Sequence, residues 1–460
     1  MTTTEVRETT AAWPSGATGV LWSIVRLAAP LTLFFAIQSG VNLAGVAMLG
    51  RVGDAALAGV GAASAIYSVV LALMFGADAA VQATVSRRVG AGRSDRLGQV
   101  LADTLALTLP LGAVLAAGIW IAAPLILDAM LRDKGAASAG VAYLRAASPS
   151  LFFFALTIPI NACWIGSGRP QLALLVTAVL APIQIAAAFL FIFGGGAFAA
   201  QGAAGAGAAI TFVGLIGVFF QLALASRRAG VSGFPHMPPR ADGARAIAAI
   251  GWPISLQQAF LQLGLMAAYV ILGRLGVAQV AAANVLISLA TVAAQLAGAL
   301  GIAAGVLVGQ ALGRRDIAEA RRWGWRTVGV GIAVMAPFAV LAVLFTRPLL
   351  GLFLRDPATL EIAVWPTRVV GLSIAADTLG RILCFAIRGA GATRIGAAVP
   401  FVSQWLVQLP LTWWMAVALG FGLLGMAGVQ CGVAVAEALV TAVIWAGPGW
   451  TAHKAFARGA

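Results

Sequence analysis

The turns LGRVG at Leu49–Gly53 and LGRLG at Leu272–Gly276 lie 223 residues apart. Working outward from them, the spacing repeats. Pro30 matches Pro253, Arg132-Asp133 matches Arg355-Asp356, and Arg145 matches Arg368. Gly166 and Gly168 match Gly389 and Gly391. Each turn joins two long apolar segments. Each second segment runs to a basic, glycine-containing turn, RRVGAGR closing the copy Pro30–Gly92 and LGRR closing the copy Pro253–Arg315. One matched pair arises easily by chance. All of them in one register do not, so the chain reads as two copies of one unit.

The 460 residues are 61% hydrophobic and 10% charged, with mean hydropathy +0.98. Soluble domains carry roughly 25% charge, so lipid is the main solvent here. A spanning helix needs about 20 apolar residues. The apolar runs, cut at Gly, Pro and Arg clusters, number about twelve, six per copy. They are continuous, not the alternating segments of roughly ten residues that a β-barrel shows. The expected fold is an all-α polytopic membrane protein of about twelve transmembrane helices. Six is even, so the two six-helix lobes share one orientation, related by a pseudo-two-fold axis along the membrane normal. The expected divisions are a tail 1–16, a lobe 17–226, a linker 227–246, a lobe 247–446 and a tail 447–460.

The net charge is +14, but its placement argues against nucleic acid. The bases crowd alternate loops: Arg87, Arg88, Arg93 and Arg96; Arg169; Arg227 to Arg245; Arg314 to Arg326; Arg388 and Arg394; Lys454 and Arg458. The opposite loops hold only Arg51, Arg132, Lys134, Arg274, Arg347 and Arg355. The richer side is cytoplasmic by the positive-inside rule, and both termini lie with it. The expected location is a bacterial inner membrane. No cleavable signal is visible. Cys163, Cys384 and Cys431 fall in apolar spans without paired spacing, so neither a disulfide framework nor a metal site is expected.

Within this frame, Pro30 is expected to kink the first span. Span two is read as one helix ending at Arg87, followed by a short interfacial helix in RRVGAGRSDRLGQ. Span three is read as Leu101–Leu125, span four as Gly140–Cys163 and span seven as Ile247–Leu272. Asp128 is placed in an outer loop, and RRDIAEARRWGWR on a helix lying at the interface.

An acid inside a span is costly and is a functional candidate by default. Asp78, Asp377 and Glu437 are the candidates for coupling transport to a cation. A carboxylate there can exchange a proton or hold a sodium ion. Asp377 has a second reading: Arg381 is one turn on, and the two suit a structural ion pair. Glu437 has no charge within a turn of its own helix. Gln38, Asn42, Gln82, Gln184, Gln262, Asn284, Gln295, Gln404 and Gln408, with Arg381, are candidates to line a substrate cleft. The plainer reading of each is an interhelical hydrogen bond worth about 0.6 kcal/mol. Phe152, Phe153, Phe154, Trp413 and Trp414 suit stacking on flat cations, or equally a lipid-facing or core position. No Walker A loop, HExxH or GxSxG in a strand–helix setting is present, so no enzyme activity, cofactor or metal is expected. His236 and His453 receive no role.

The chain resembles the multidrug and toxic compound extrusion (MATE) family. The resemblance rests on Pro30 followed by LGRVGDAALAGVG, on FGADAAVQATVSRRVGAG, and on the paired turns IGSGRPQ and IRGAGATR. It also rests on FLFIFGGGAFAAQGAAGAGAA and LPLTWWMAVALGFGLLGMAG. It implies two six-helix lobes around a central cleft with alternating access. It further implies export of small organic, often cationic, molecules by a monomer in the lipid bilayer, driven by H+ or Na+. In some members an acid sits where Asp377 stands. Other family acids are missing. Gly45 stands in span one near a place where many members have Asp. Gln184 and Ala188 stand where span five often has Asn and Asp, and Gln257, Gln258 and Gln262 replace a span-seven acid. Coupling through the carboxy-terminal lobe, or through Asp78, is what remains. The competing readings are a flippase for lipid-linked oligosaccharide or cell-wall precursors, and a non-transporting membrane scaffold. A flippase asks for several bases in its cleft, and Arg145, Arg368 and Arg381 are the bases read as lying inside spans.

Overall fold

The structure is a computed structural model that describes residues 16–195, 199–227, 234, 237–354 and 356–450. Most of the tail 1–16, much of the linker 227–246 including Arg228 and His236, and residues 451–460 with His453, Lys454 and Arg458 lie outside the described residues. So does Arg355.

Among the described residues, twelve helices are long and apolar enough to cross a membrane. Spans one to six are Thr18–Val52, Asp54–Gly90, Ser94–Met130, Pro149–Gly166, Pro170–Phe193 and Ala203–Ser226. Spans seven to twelve are Ala241–Leu272, Ala278–Gly313, Ile317–Leu344, Pro357–Gly389, Thr393–Ala418 and Gly422–Ala446. Large apolar side chains such as Leu125 (77% exposed) and Val443 (71%) face outward, as a lipid-solvated surface requires. The repeat is visible in the backbone. Gly53 and Gly276 start spans two and eight at φ 141° and 96°, and Gly168 and Gly391 sit at φ 80° and 78°. Only glycine takes these values without strain. Asp133 and Asp356, also matched, cap the helices that follow them by accepting backbone N–H bonds.

The chain divides into two compact units, and three of the four division points fall inside helices. One unit is Pro30–Arg88 with Arg93–Gln262. The other is Val89–Gly92 with the chain up to Ala29 and from Leu263 onward. The first unit is built on Tyr67, Leu127, Leu144 and Leu151. Tyr67 Oη and Ser150 Oγ share a buried hydrogen bond of 2.6 Å. Thr108 Oγ1 donates to the Ala155 carbonyl, tying span three to span four. In the second unit, span ten packs on spans eight, nine and twelve.

In each repeat, the chain beyond the sixth span docks on the lobe's third. In the first, Asp103 of span three is 3% exposed. One of its oxygens accepts from the Arg240 N–H and from Gln99 Nε2, both at 2.7 Å. Gln99 Nε2 also donates to the Pro238 carbonyl at 2.9 Å. A Cβ on Gly243 would collide with the other oxygen, so the carboxylate sits against the first turn of span seven. In the second repeat, Trp445 and Trp450 stack at 4.3 Å, both fully buried. Trp445 Nε1 donates to the Arg321 carbonyl, and Arg321 Nη2 donates to the Gly447 carbonyl.

Several expectations are corrected. Span two is broken at Leu73–Met74 into Asp54–Ala72 and Phe75–Gly90. In the loop RRVGAGRSDRLGQ the short helix is a single 3-10 turn, Ser94–Arg96, which leads directly into span three at Leu97. Span three runs to Met130 and so includes Asp128. A separate helix, Lys134–Ala147, precedes span four, which starts at Pro149. The segment beginning at Ile317 forms the opening turns of span nine and no separate interfacial helix, because nothing in it breaks the helical run. Span seven begins six residues earlier than expected, at Ala241. Span eleven contains two wider-wound, π-type stretches, 403–408 and 413–418. The bases within helices include Arg26, Arg87, Arg326 and Arg388 as well as the three expected.

A carboxylate–arginine cluster in the second lobe

Span ten starts where Asp356 accepts from the Thr359 N–H at 3.0 Å and from its hydroxyl at 2.6 Å. These bonds hold the Asp356 carboxyl below the usual carboxylate range. Pro357 at the first helical position fits, since its missing donor is an orphan there in any case.

About six turns on, the spacing of Asp377 and Arg381 brings their side chains together. Arg381 Nη2 donates to Asp377 Oδ1 at 3.0 Å and to Oδ2 at 3.1 Å, and Nε donates to Oδ2 at 3.3 Å. The side chains are 37% and 33% exposed. Removing one partner strands the other charge in a bilayer, at a cost of about 2.5–3.5 kcal/mol near a helix centre.

Glu437 joins this pair from span twelve. The approach is close because residue 380 is glycine. A Cβ there would lie 3.3 Å from the Ala438 nitrogen and 3.6 Å from the Glu437 carbonyl carbon. Glu437, half-buried, stands in the field of Arg381, Asp377 and Arg388. It is isolated along its own helix but not in space. Arg388 is engaged elsewhere: its Nε and Nη2 both donate to the Gly396 carbonyl at 3.1 Å, and its guanidinium lies over Phe385. Cys384 Sγ donates to the same carbonyl.

Asp78 belongs to the first unit. It lies near the middle of span two, in the first turn of the helix that resumes after Leu73–Met74, and accepts from Gln82 Nε2 at 2.8 Å. Ser255 Oγ of span seven donates to the Leu73 carbonyl at 2.5 Å, and Gly76 packs on the backbone of Gly251. Breaks of this kind survive in membranes only where protein satisfies the freed groups.

The uncharged candidates scatter. Gln38, Asn42 and Asn284 are exposed on their helices, and Gln184, Gln262 and Gln295 are half-buried. Gln408 hydrogen-bonds Gln430, and Gln404 packs on Gly264. The sequence reading missed Gln99 and Asp103, which are one helical turn apart in a span, the spacing that marked Asp377 and Arg381. It missed Gln279, whose Oε1 accepts from the Leu423 N–H at 2.9 Å.

The MatE family model matches this chain twice, over residues 30–190 and again over 253–414, and the matches begin 223 residues apart. The chain belongs to the MatE family. It is 30% identical to a probable multidrug resistance protein NorM of Deinococcus radiodurans, covering 89% of this chain and 91% of that one. It is 29% identical to the corresponding protein of Bradyrhizobium diazoefficiens, over 87% and 88%. Solved structures share the fold. A MATE protein in complex with MaL6 superposes with TM-score 0.87 at 18% identity, over 97% of this chain and 98% of that one. A MOP superfamily transporter from Pyrococcus furiosus, whose binding pocket is described as of reverse polarity and as suggesting a different function, gives 0.84 at 18% identity over the full length of both. The chain is thus a multi-pass membrane protein of a multidrug efflux transporter family. In this MATE chain, the second copy carries the acid–base cluster.

Proposed function

We propose that this chain exports small organic compounds from a bacterial cell by alternating access, in exchange for protons or sodium ions, through carboxylates of its second lobe. It sits in the inner membrane with both termini in the cytoplasm. One observation carries the reading: inside an apolar bundle Asp377 is paired with Arg381, and Glu437 of span twelve stands in the field of the same arginine. Charges there are kept at a cost and mark ion or substrate pathways. Asp78, at a broken helix, is the candidate for a similar role in the first lobe.

The test is efflux of ethidium from cells lacking their own pumps. Export by the native chain, with loss in well-expressed Asp377→Asn and Glu437→Gln, is expected. Full export by both variants would remove these residues from coupling and turn attention to Asp78→Asn. No export by the native chain would leave the second reading, export of an anionic amphiphile or a lipid-linked precursor. That reading draws on the additional arginines Arg26, Arg87 and Arg388 and on the likeness to the Pyrococcus transporter.

A further inference from the structure

We propose that Arg381 is a tethered counter-ion for which Asp377 and Glu437 compete, and that it reserves the cluster for protons by filling the carboxylate a sodium ion would need. The inference rests on the reading of these acids as the coupling groups. A carboxylate offers about four lone-pair sites on two oxygens. Arg381 places N–H donors against both oxygens of Asp377, three contacts within 3.3 Å. Such fork-like pairing is the strongest hydrogen bonding a carboxylate accepts. A sodium ion at Asp377 would have to displace a cation that is covalently part of the same helix turn.

A proton makes no such demand. The titratable groups facing Arg381 are Asp377 and Cys384 on its own span and Glu437 on span twelve, and Glu437 also faces Arg388. Arg388 is committed to the Gly396 carbonyl. Glu437 is therefore the group free to gain and lose the proton. Taken up from water, a proton turns the Glu437 carboxylate into the neutral acid, and Arg381 rests on Asp377 alone, the arrangement seen. When that proton leaves, Glu437 regains its charge and draws the guanidinium toward span twelve. No other bond is made or broken. The formal charge of Asp377, Arg381 and Glu437 alternates between zero and minus one.

The test reads sodium binding on the purified full-length protein, as a thermal-unfolding shift with NaCl against KCl at equal ionic strength. The native chain is expected to show no sodium-specific shift. Arg381→Gln is expected to gain a saturable one, lost again in Asp377→Asn/Arg381→Gln. If Arg381→Gln does not fold, Arg381→Gln/Glu437→Gln leaves a single carboxylate and asks the same question. A sodium-specific shift in the native chain that Asp377→Asn abolishes would overturn the proposal, as would a folded variant lacking Arg381 that remains blind to sodium. This readout needs no transport, so failure of export and failure of the counter-ion idea are told apart.

Discussion

Spans ten and twelve of the second lobe hold Asp377, Arg381 and Glu437, whereas the matching places in the first lobe hold Phe154, Ile158 and Gly217. The first two follow the 223-residue register. The third follows the alignment of Gly202 and Gly205 with Gly422 and Gly425, three residues short of it. In the first lobe the site is apolar: Phe154 packs against the core around Tyr67 and Leu151, and Gly217 packs against Leu180. One backbone plan therefore supports either a packed apolar contact or an ionic cluster. The fold needs the helices and their close approach; the ionic chemistry is added in one copy. The chain exits carry the same lesson. Asp103 and Gln99 hold the chain after span six, while their counterparts Arg326 and Arg322 bind Glu319 at 2.9 and 3.3 Å. There the Trp445–Trp450 stack does the holding.

The sharpest way to break this comparison is to write the first copy into the second. Asp377→Phe/Arg381→Ile should abolish export. Its unfolding temperature should hold or rise, because even a fully buried ion pair can often be replaced by apolar residues at no cost to stability. Export at the native level would mean the cluster is ornamental. Next in size, Trp450→Ala should cost about 3–5 kcal/mol in reversible unfolding. A cost under about 1 kcal/mol would show that the stack does not hold the exit. Asp103→Ala, which leaves the Arg240 N–H and Gln99 without their acceptor, should cost about 1–3 kcal/mol and raise amide exchange at Arg240. Unchanged exchange would mean the linker is held by something else. Smallest is Tyr67→Phe, about 0.6 kcal/mol for one interhelical hydrogen bond. Its counterpart is Ala290, so Ala290→Phe in the second copy serves as the contrast, with no hydrogen bond to lose.

The twelve spans were legible because hydropathy over twenty residues reports directly on the solvent a helix faces. The Asp377–Arg381 pair was legible because a spacing of four is a local geometric statement. Glu437 read as isolated because its neighbours come from another span, and the one hint, Gly380, is common in membrane helices. Asp103 was passed over because its partners lie 137 residues away. The break at Leu73–Met74 has no proline and no glycine at the break itself. It exists because Ser255, far off in sequence, satisfies the freed carbonyl.

That last contact bears on how the protein is made. The Leu73 carbonyl emerges from the ribosome 182 residues before the hydroxyl that caps it. Until span seven enters the bilayer, span two either stays continuous or carries an unmet polar group in lipid. The first copy thus reaches its final shape only with help from the opening helix of the second. Expressed alone, six spans of this chain should insert and yet remain unfinished, and supplying span seven in the same membrane should complete them.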